Sequence, residues 1–313
     1  MKSPAEVRDS SKGFLLAAAG TSLLAVNPVI GKFCLDVESG FNAPTFAFLW
    51  LSWASLYSLV MLTARRKLRA LVLPRREIKV LAVIALMTGA VQWLAWQALV
   101  FLDPAFMSFL QRFVPVLVIL GGVVCFGERL RRSEVAAMGL MILGGLVSTL
   151  AEWRVVAVGV GLAMAAYVIV SVQRLIIKVS VRQVDPMVVN FCRTLGGAIS
   201  LGCISFLAGA FDFDVGPRRW GLLMLGAFVG PYLGVYLTVA AYRHWELSRA
   251  TLVMMAQPLI TFPLAYVCLG TAPSPWQLGG GGLILLGAFW LTWTHFGASQ
   301  RTRAAPIRDN SRL

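Results

Sequence analysis

Charge is what this chain has least of. Only 13% of its 313 residues are Asp, Glu, Lys or Arg, against 58% apolar. A soluble domain needs roughly a quarter charged residues to cover its surface, so a water-soluble fold is excluded. Acid is scarcer still: the fourteen Asp and Glu all fall in loops, tails or helix ends, which argues against a simple intramembrane carboxylate relay. The two histidines, His244 and His295, lie at predicted helix ends. No Cys or His pair has metal-ligand spacing, so neither a metal nor another cofactor is expected. Five scattered cysteines, an odd number, argue against a disulfide framework. HExxH, a nucleophile elbow and a P-loop are all missing, so an enzyme or an ATP-driven pump is not expected. The polar residues 1–12 precede a run long enough to span, which does not read as a cleavable signal peptide.

Long apolar runs are what the chain has instead. A bilayer core takes about 20 helical residues to cross. Ten such spans are predicted, at 13–33, 44–63, 78–99, 104–126, 134–151, 155–174, 186–208, 220–242, 250–269 and 276–296. Their length and continuity favour helices over the ten-residue alternating strands of a membrane barrel. The expected fold class is therefore an all-α integral membrane protein.

The net charge of +14 reads as positive-inside bias, with no nucleic-acid partner implied. With the N-terminus inside, 22 of the basic residues fall on the cytoplasmic side and only Lys32, Arg154, Arg218 and Arg219 outside. Both termini are expected to be cytoplasmic. The setting is a lipid bilayer, expected to be the bacterial plasma (inner) membrane, crossed many times.

The two halves match at an offset of 143 residues: Asp103 with Glu246, Ser108 with Thr251, Pro115 with Pro258, Gly127 with Gly270, Gly139 with Gly282 and Gly144 with Gly287. Five spans per half is an odd number, so the second repeat must enter the membrane upside down relative to the first. The connecting loops agree. GERLRRSE is basic, while its repeat partner GTAPSPWQ carries no charge. The expected organisation is a first five-helix repeat at 13–151, a second at 155–296, and cytoplasmic tails at 1–12 and 297–313.

The pattern Pro-x-x-apolar…Gly-Glu-Arg-Leu…Glu…Gly…Gly over 115–144 resembles the EamA-type repeat of the drug/metabolite transporter superfamily. The resemblance covers about 13–296 and implies ten helices in two EamA-like repeats, small metabolites as cargo and a slight bias to export. The second repeat departs from the pattern with Thr271 in place of Glu128, and the first has Leu51 where the second has Arg193.

Transport by inverted repeats needs a midplane site and helices able to bend beside it. Arg112 and Arg193 stand out, because a charge at mid-span costs about 2.5–3.5 kcal/mol on insertion scales. Arg112 lies nine positions past Asp103, roughly 13 Å deep at 1.5 Å per residue. Neither arginine has an acidic partner within any span, which suggests a wet cavity that receives an anionic group. Snorkelling or carbonyl binding is the plain alternative. Asn27, Gln92, Trp93, Trp96, Tyr167, Asn190, Tyr232, Tyr236 and Gln257 are further candidate substrate contacts, each of which could equally be helix-to-helix glue. The repeat partners Pro115 and Pro258 are candidate hinges. Gly226, Gly230 and Gly234 recur every four residues and read as a close-packing face.

These features predict a secondary, non-ATP-driven transporter of a small, carboxylate-bearing molecule such as an amino acid, working by alternating access as a monomer or homodimer. A flippase for a lipid-linked intermediate and a non-transporting receptor or scaffold are the alternatives.

Overall fold

Breaks in apolar helices, rather than the helices themselves, give this fold its character. The computed structural model describes residues 4–35, 40–126, 132–148, 153–180, 184–244, 253–254, 256–271 and 274–304, and every regular element among them is helical. The first half contributes α1 (Pro4–Cys34), α2 (Ala43–Ala64), α3 (Arg75–Phe101), α4 (Pro104–Leu110), α5 (Phe113–Phe126) and α6 (Arg132–Ser148). The second contributes α7 (Trp153–Ser180), α8 (Pro186–Leu207), α9 (Pro217–Ala227), α10 (Val235–His244), α11 (Gln257–Leu269) and α12 (Pro275–Ala304). A π-helical segment, Phe228–Gly234, joins α9 to α10.

By length and composition, six stretches among the described residues can cross a membrane: Lys12–Cys34, Ala43–Ala64, Arg75–Phe101, Ala157–Ile177, Met187–Leu207 and Pro217–Thr238. The expected fourth span is broken. After Leu110 the chain turns through Gln111 and Arg112 before α5 begins, and the Arg112 amide bonds back to the Phe109 carbonyl at 2.9 Å. The ninth shows the same interruption, since α11 starts at Gln257 after a turn at Ala256. Pro258 therefore lies in the first turn of a new helix, where its missing N–H costs nothing. Pro115 is the third residue of α5, and its side chain lies outside the described residues. Neither proline stands mid-helix; each opens the half-helix that follows a break. Glu246, Thr251, Gly127 and Glu128 also lie outside the described residues.

The halves pack as counterparts. Helix α6 lies against α12, and α2 against α8, each a repeat partner of the other. Helix α1 packs on α9, the π segment and α10, while its counterpart α7 packs on α3. The α6–α12 contact is the most exacting. A Cβ on Gly144 would stand 2.6 Å from the Gly280 carbonyl and 2.9 Å from the Ile284 amide. A Cβ on Gly287 would stand 2.8 Å from the Ala137 carbonyl and 3.1 Å from the Met141 amide. Each set of partners is the other displaced by 143 residues. Later residues of one helix meet earlier residues of the other, so α6 and α12 cross antiparallel. Lipid offers no hydrophobic drive for helix association, so such backbone contact supplies the cohesion.

The glycine face of the eighth expected span packs as its spacing predicts. Gly226 lies against Trp50 and Ile30, Gly230 against Asn27, and Gly234 against Leu24. Trp50, Phe46 and Trp96 form a buried aromatic knot, with ring centroids 4.9–5.2 Å apart in successive pairs.

Candidate functional site

Among the described residues, two gatherings of polar side chains involve the sequence candidates Arg112 and Asn190. The first is the pair of helix breaks. Arg112 is 6% exposed. Its Nε donates to the Ser108 carbonyl at 3.3 Å, and its Nη2 to Gln111 Oε1 at 2.9 Å and Gln257 Oε1 at 2.8 Å. Its Nη1 donates to the Met254 carbonyl. Met254 repeats Gln111 at the offset of 143, so the guanidinium bridges one broken helix to the corresponding stretch of the other. The Gln257 amide in turn donates to the Leu24 carbonyl at 3.4 Å. Pro28, four residues further along α1, leaves that carbonyl without its usual helical donor. Arg112 thus has the carbonyl partners of the plain alternative.

The second place is a cavity of about 670 Å³, part of it continuous with solvent. Helix α2 and the turn after it contribute Ser58, Met61, Arg65 and Lys67; α8 contributes Asp185, Met187 and Asn190; and Tyr232, Val235, Tyr236 and Ala240 complete the wall. Ser58, Met61 and Arg65 recur at helical spacing on one face. The deep end is buried Ser58 and Tyr232, and the mouth is exposed Arg65 and Lys67. Asn190 reaches across the floor, its amide donating to Ser58 Oγ at 3.3 Å and to the Pro231 carbonyl at 3.4 Å. Behind it, Arg193 Nη2 donates to Asn190 Oδ1 at 3.0 Å. At the mouth Lys67 Nζ meets Asp185 Oδ2 at 2.6 Å, while Asp185 Oδ1 caps α8 by accepting from the Met187 amide at 2.9 Å. The Arg65 guanidinium lies 5.5 Å from the Tyr236 ring centroid. The result is a slot with a polar floor, aromatic and thioether walls and a cationic rim.

The structure brings together Asn190, Tyr232 and Tyr236 from the sequence candidates, with Arg193 one bond behind. The others stand elsewhere. Tyr167 is buried and donates to the Met107 carbonyl at 3.1 Å. Trp93 is 44% exposed on the outer face of α3. Gln92 is half-buried and does not line the cavity. Asn27 Oδ1 and Trp96 Nε1 are buried without a hydrogen-bond partner among the described residues, an uncommon state for polar atoms in native interiors, and neither residue lines the cavity. Ser58, Met61, Arg65, Lys67, Asp185 and Met187 were not singled out by the sequence. Arg65 and Lys67 registered there only as topology charges, although Ser58 seven residues before Arg65 was a readable sign of a polar stripe.

The EamA-like transporter family matches residues 11–150 and again 157–293. No curated protein sequence matches. A solved crystal structure of another protein superposes on 91% of this chain and 98% of its own with a TM-score of 0.63 at 21% identity, which is a likeness of fold. Two tandem matches over nearly the whole length, with long apolar helices packed as counterparts, place the chain in the EamA-like transporter family, as a multi-pass membrane transporter of two repeats.

Proposed function

We propose that this chain is a secondary transporter that carries a small carboxylate-bearing metabolite across the bacterial inner membrane by alternating access, without ATP and with a bias to export. In this reading the two broken helices each count as one span, giving ten, and the repeats are inverted. The antiparallel crossing of the repeat partners α6 and α12 supports the inversion. The basic-residue bias supports cytoplasmic termini and puts the rim of the cavity, at Arg65 and Lys67, on the cytoplasmic side.

The observation that carries the proposal is the cavity itself. Both repeats build its walls, and its mouth presents Arg65 and Lys67 over a floor of Asn190 backed by Arg193. A site between repeats, with uneven closure on its two sides, is what alternating access requires. Seven residues beyond Asn190, α8 packs closely on its neighbours: a Cβ on Gly89 would meet Ser200 Oγ at 2.5 Å, and one on Gly197 would meet Leu51 at 2.9 Å. Arg112 serves as the tie between the broken helices, and Asn190 as the anion-facing group of the floor, with Arg193 supplying positive charge from behind it.

The test is transport by the purified protein in liposomes, with labelled carboxylates as cargo and no nucleotide. Saturable exchange that Asn190→Leu abolishes supports the proposal. No movement of any carboxylate in either direction, by protein shown to be folded, rejects it.

A further inference from the structure

Helix α3 is longer than a bilayer needs. Its 27 residues make a rod about 40 Å long at 1.5 Å per residue, against a hydrocarbon core of about 30 Å. The surplus falls at its start, which reads Arg-Arg-Glu-Ile-Lys from Arg75, whereas the far end stays largely apolar as far as Phe101. Arg75, Arg76 and Lys79 therefore stand at the level of the lipid headgroups. These charges do not serve the helix, since cations in a first turn oppose its dipole. They do not serve a protein partner either: among the described residues, the ion pair of residues 65–79 is that of Lys67 with Asp185, and Arg75, Arg76 and Lys79 make none.

The side chains of α3 sort by face. Leu81, Ile84, Ala85, Thr88 and Gly89 are buried and pack the helix on α7 and α8. Gln173 donates to the Ile84 carbonyl there at 2.8 Å, and a Cβ on Gly196 would meet the Ala85 methyl at 2.5 Å. Arg75, Lys79, Ala82 and Leu86 recur at i, i+4, i+7 and i+11, which is one stripe of a helix, and all four are exposed, as is Val83 beside them. Leu86, 61% exposed, lies about 16 Å below Arg75 at 1.5 Å per residue, roughly the depth of one leaflet of hydrocarbon. A cationic pair thus heads an exposed apolar stripe one leaflet long. A positive-inside bias accounts for basic residues at this end of the helix, but not for their alignment with that stripe. The turn before α3 adds exposed Arg66 and Arg69.

We propose that this end of α3 is a binding site for one anionic phospholipid of the cytoplasmic leaflet. The headgroup phosphate lies between Arg75 and Lys79, whose spacing of four lets both cations reach one oxyanion. An acyl chain follows Ala82, Val83 and Leu86, and Arg66 and Arg69 strengthen the positive field. A free phosphate gains from the cations but leaves the stripe uncovered. A zwitterionic lipid covers the stripe but brings its own cation to the cluster, so the net attraction is lost. The inference needs only that α3 crosses a membrane, and it is independent of what the cavity carries.

The test is native mass spectrometry of the full-length protein in detergent, titrated with three probes. These are phosphatidylglycerol, phosphatidylcholine with the same chains, and glycerol 3-phosphate, which has the phosphate without the chains. Wild type is expected to bind a first phosphatidylglycerol about tenfold or more tighter than phosphatidylcholine, with no glycerol 3-phosphate bound over the same range. Arg75→Gln combined with Lys79→Gln is expected to weaken phosphatidylglycerol about tenfold or more, the scale of two basic contacts at an anionic surface, and to leave phosphatidylcholine unchanged. The control removes the same charge from two other exposed positions, Lys12→Gln with Arg132→Gln, and is expected to stay within about twofold of wild type. Equal affinity for the two lipids overturns the inference. Equal losses in the two double variants overturn it as well, because net charge alone would then attract the lipid. Glycerol 3-phosphate that competes with phosphatidylglycerol overturns it in favour of a free-anion site.

Discussion

Arg112 and Gln257, on opposite repeats, are joined by a 2.8 Å hydrogen bond from Nη2 to Oε1 where both of their helices are interrupted. The bond explains how a guanidinium persists at that depth. Ser108, Gln111, Gln257 and Met254 supply acceptors to it, and a buried charge is tolerated when its hydrogen-bonding groups are met. Arg112→Met is therefore expected to destabilise the protein by about 3 kcal/mol, because buried acceptors lose their donor. Gln257→Leu is expected to cost at least as much, since it strips a partner from a buried charge. Thermal unfolding in detergent checks both. An Arg112→Met protein that melts like wild type yet transports nothing would instead make Arg112 a substrate contact.

The reciprocal glycines give a symmetry test. Gly144→Ala and Gly287→Ala each place a methyl within 2.6–2.8 Å of the facing helix, against the Gly280 carbonyl in one case and Met141 and the Ala137 carbonyl in the other. Backbone cannot yield as a flexible side chain can, so α6 and α12 must part. We expect losses of about 1–3 kcal/mol, similar for the two variants. Gly139 and Gly282 are repeat partners too, but a Cβ on either meets nothing within 4 Å. Their alanine variants are expected to be neutral or to gain a few tenths of a kcal/mol, up to about 1, from helix propensity. Melting temperatures of the four variants settle the pattern, and equal losses at all four would mean that the α6–α12 contact is not the cause.

How far could the sequence see this? Hydropathy and charge bias pointed to the helical membrane class, and the 143-residue offset paired Gly144 with Gly287, whose contacts in the structure are reciprocal. Those signals are one-dimensional, and periodicity reports them directly. The helix breaks were less visible. The 104–126 run is apolar enough to read as one span, and only Arg112 inside it hinted that the backbone turns there to feed a side-chain network. The cavity was half legible. Asn190, Tyr232 and Tyr236 were found because they are polar on apolar faces. Arg65, Lys67 and Asp185 were hidden because charge at a helix end is what topology alone predicts. Which helix lies opposite them is a tertiary fact, and α2 meets α8 across more than 100 residues of chain.

The cavity also separates residues that sequence reasoning treated alike. Asn190 and Gln92 are both amides on expected spans, but only Asn190 lines the slot and holds Arg193. Asn190→Leu is expected to reduce transport kcat/KM at least tenfold, by leaving Arg193 Nη2 without this acceptor and the floor apolar. Gln92→Leu and Trp93→Leu are expected to stay within about twofold of wild type. Initial rates in liposomes at matched protein density decide it. Equal losses at Gln92 and Asn190 would move the transport path toward α3.

Lys32 breaks the charge bias, since it is one of only four basic residues assigned to the outer side, and its surroundings explain why it is kept. Its ammonium donates to the carbonyls of Leu99, Val100 and Leu102 at 2.8, 3.0 and 3.1 Å, where α3 ends. Leu99 and Val100 are among the last residues of α3 and Leu102 follows its end, where carbonyls have no intrahelical donor, and a cation there also complements the helix dipole. Its role is thus to stitch α1 to the end of α3 rather than to set topology. Lys32→Met is expected to lower stability by about 2 kcal/mol through the loss of three charge-assisted bonds while leaving the orientation unchanged. Unfolding measurements read the first effect, and a terminal reporter accessible from one side reads the second. A reoriented chain would show that Lys32 acts on insertion, and an unchanged melting temperature would show that water replaces it at those carbonyls without loss.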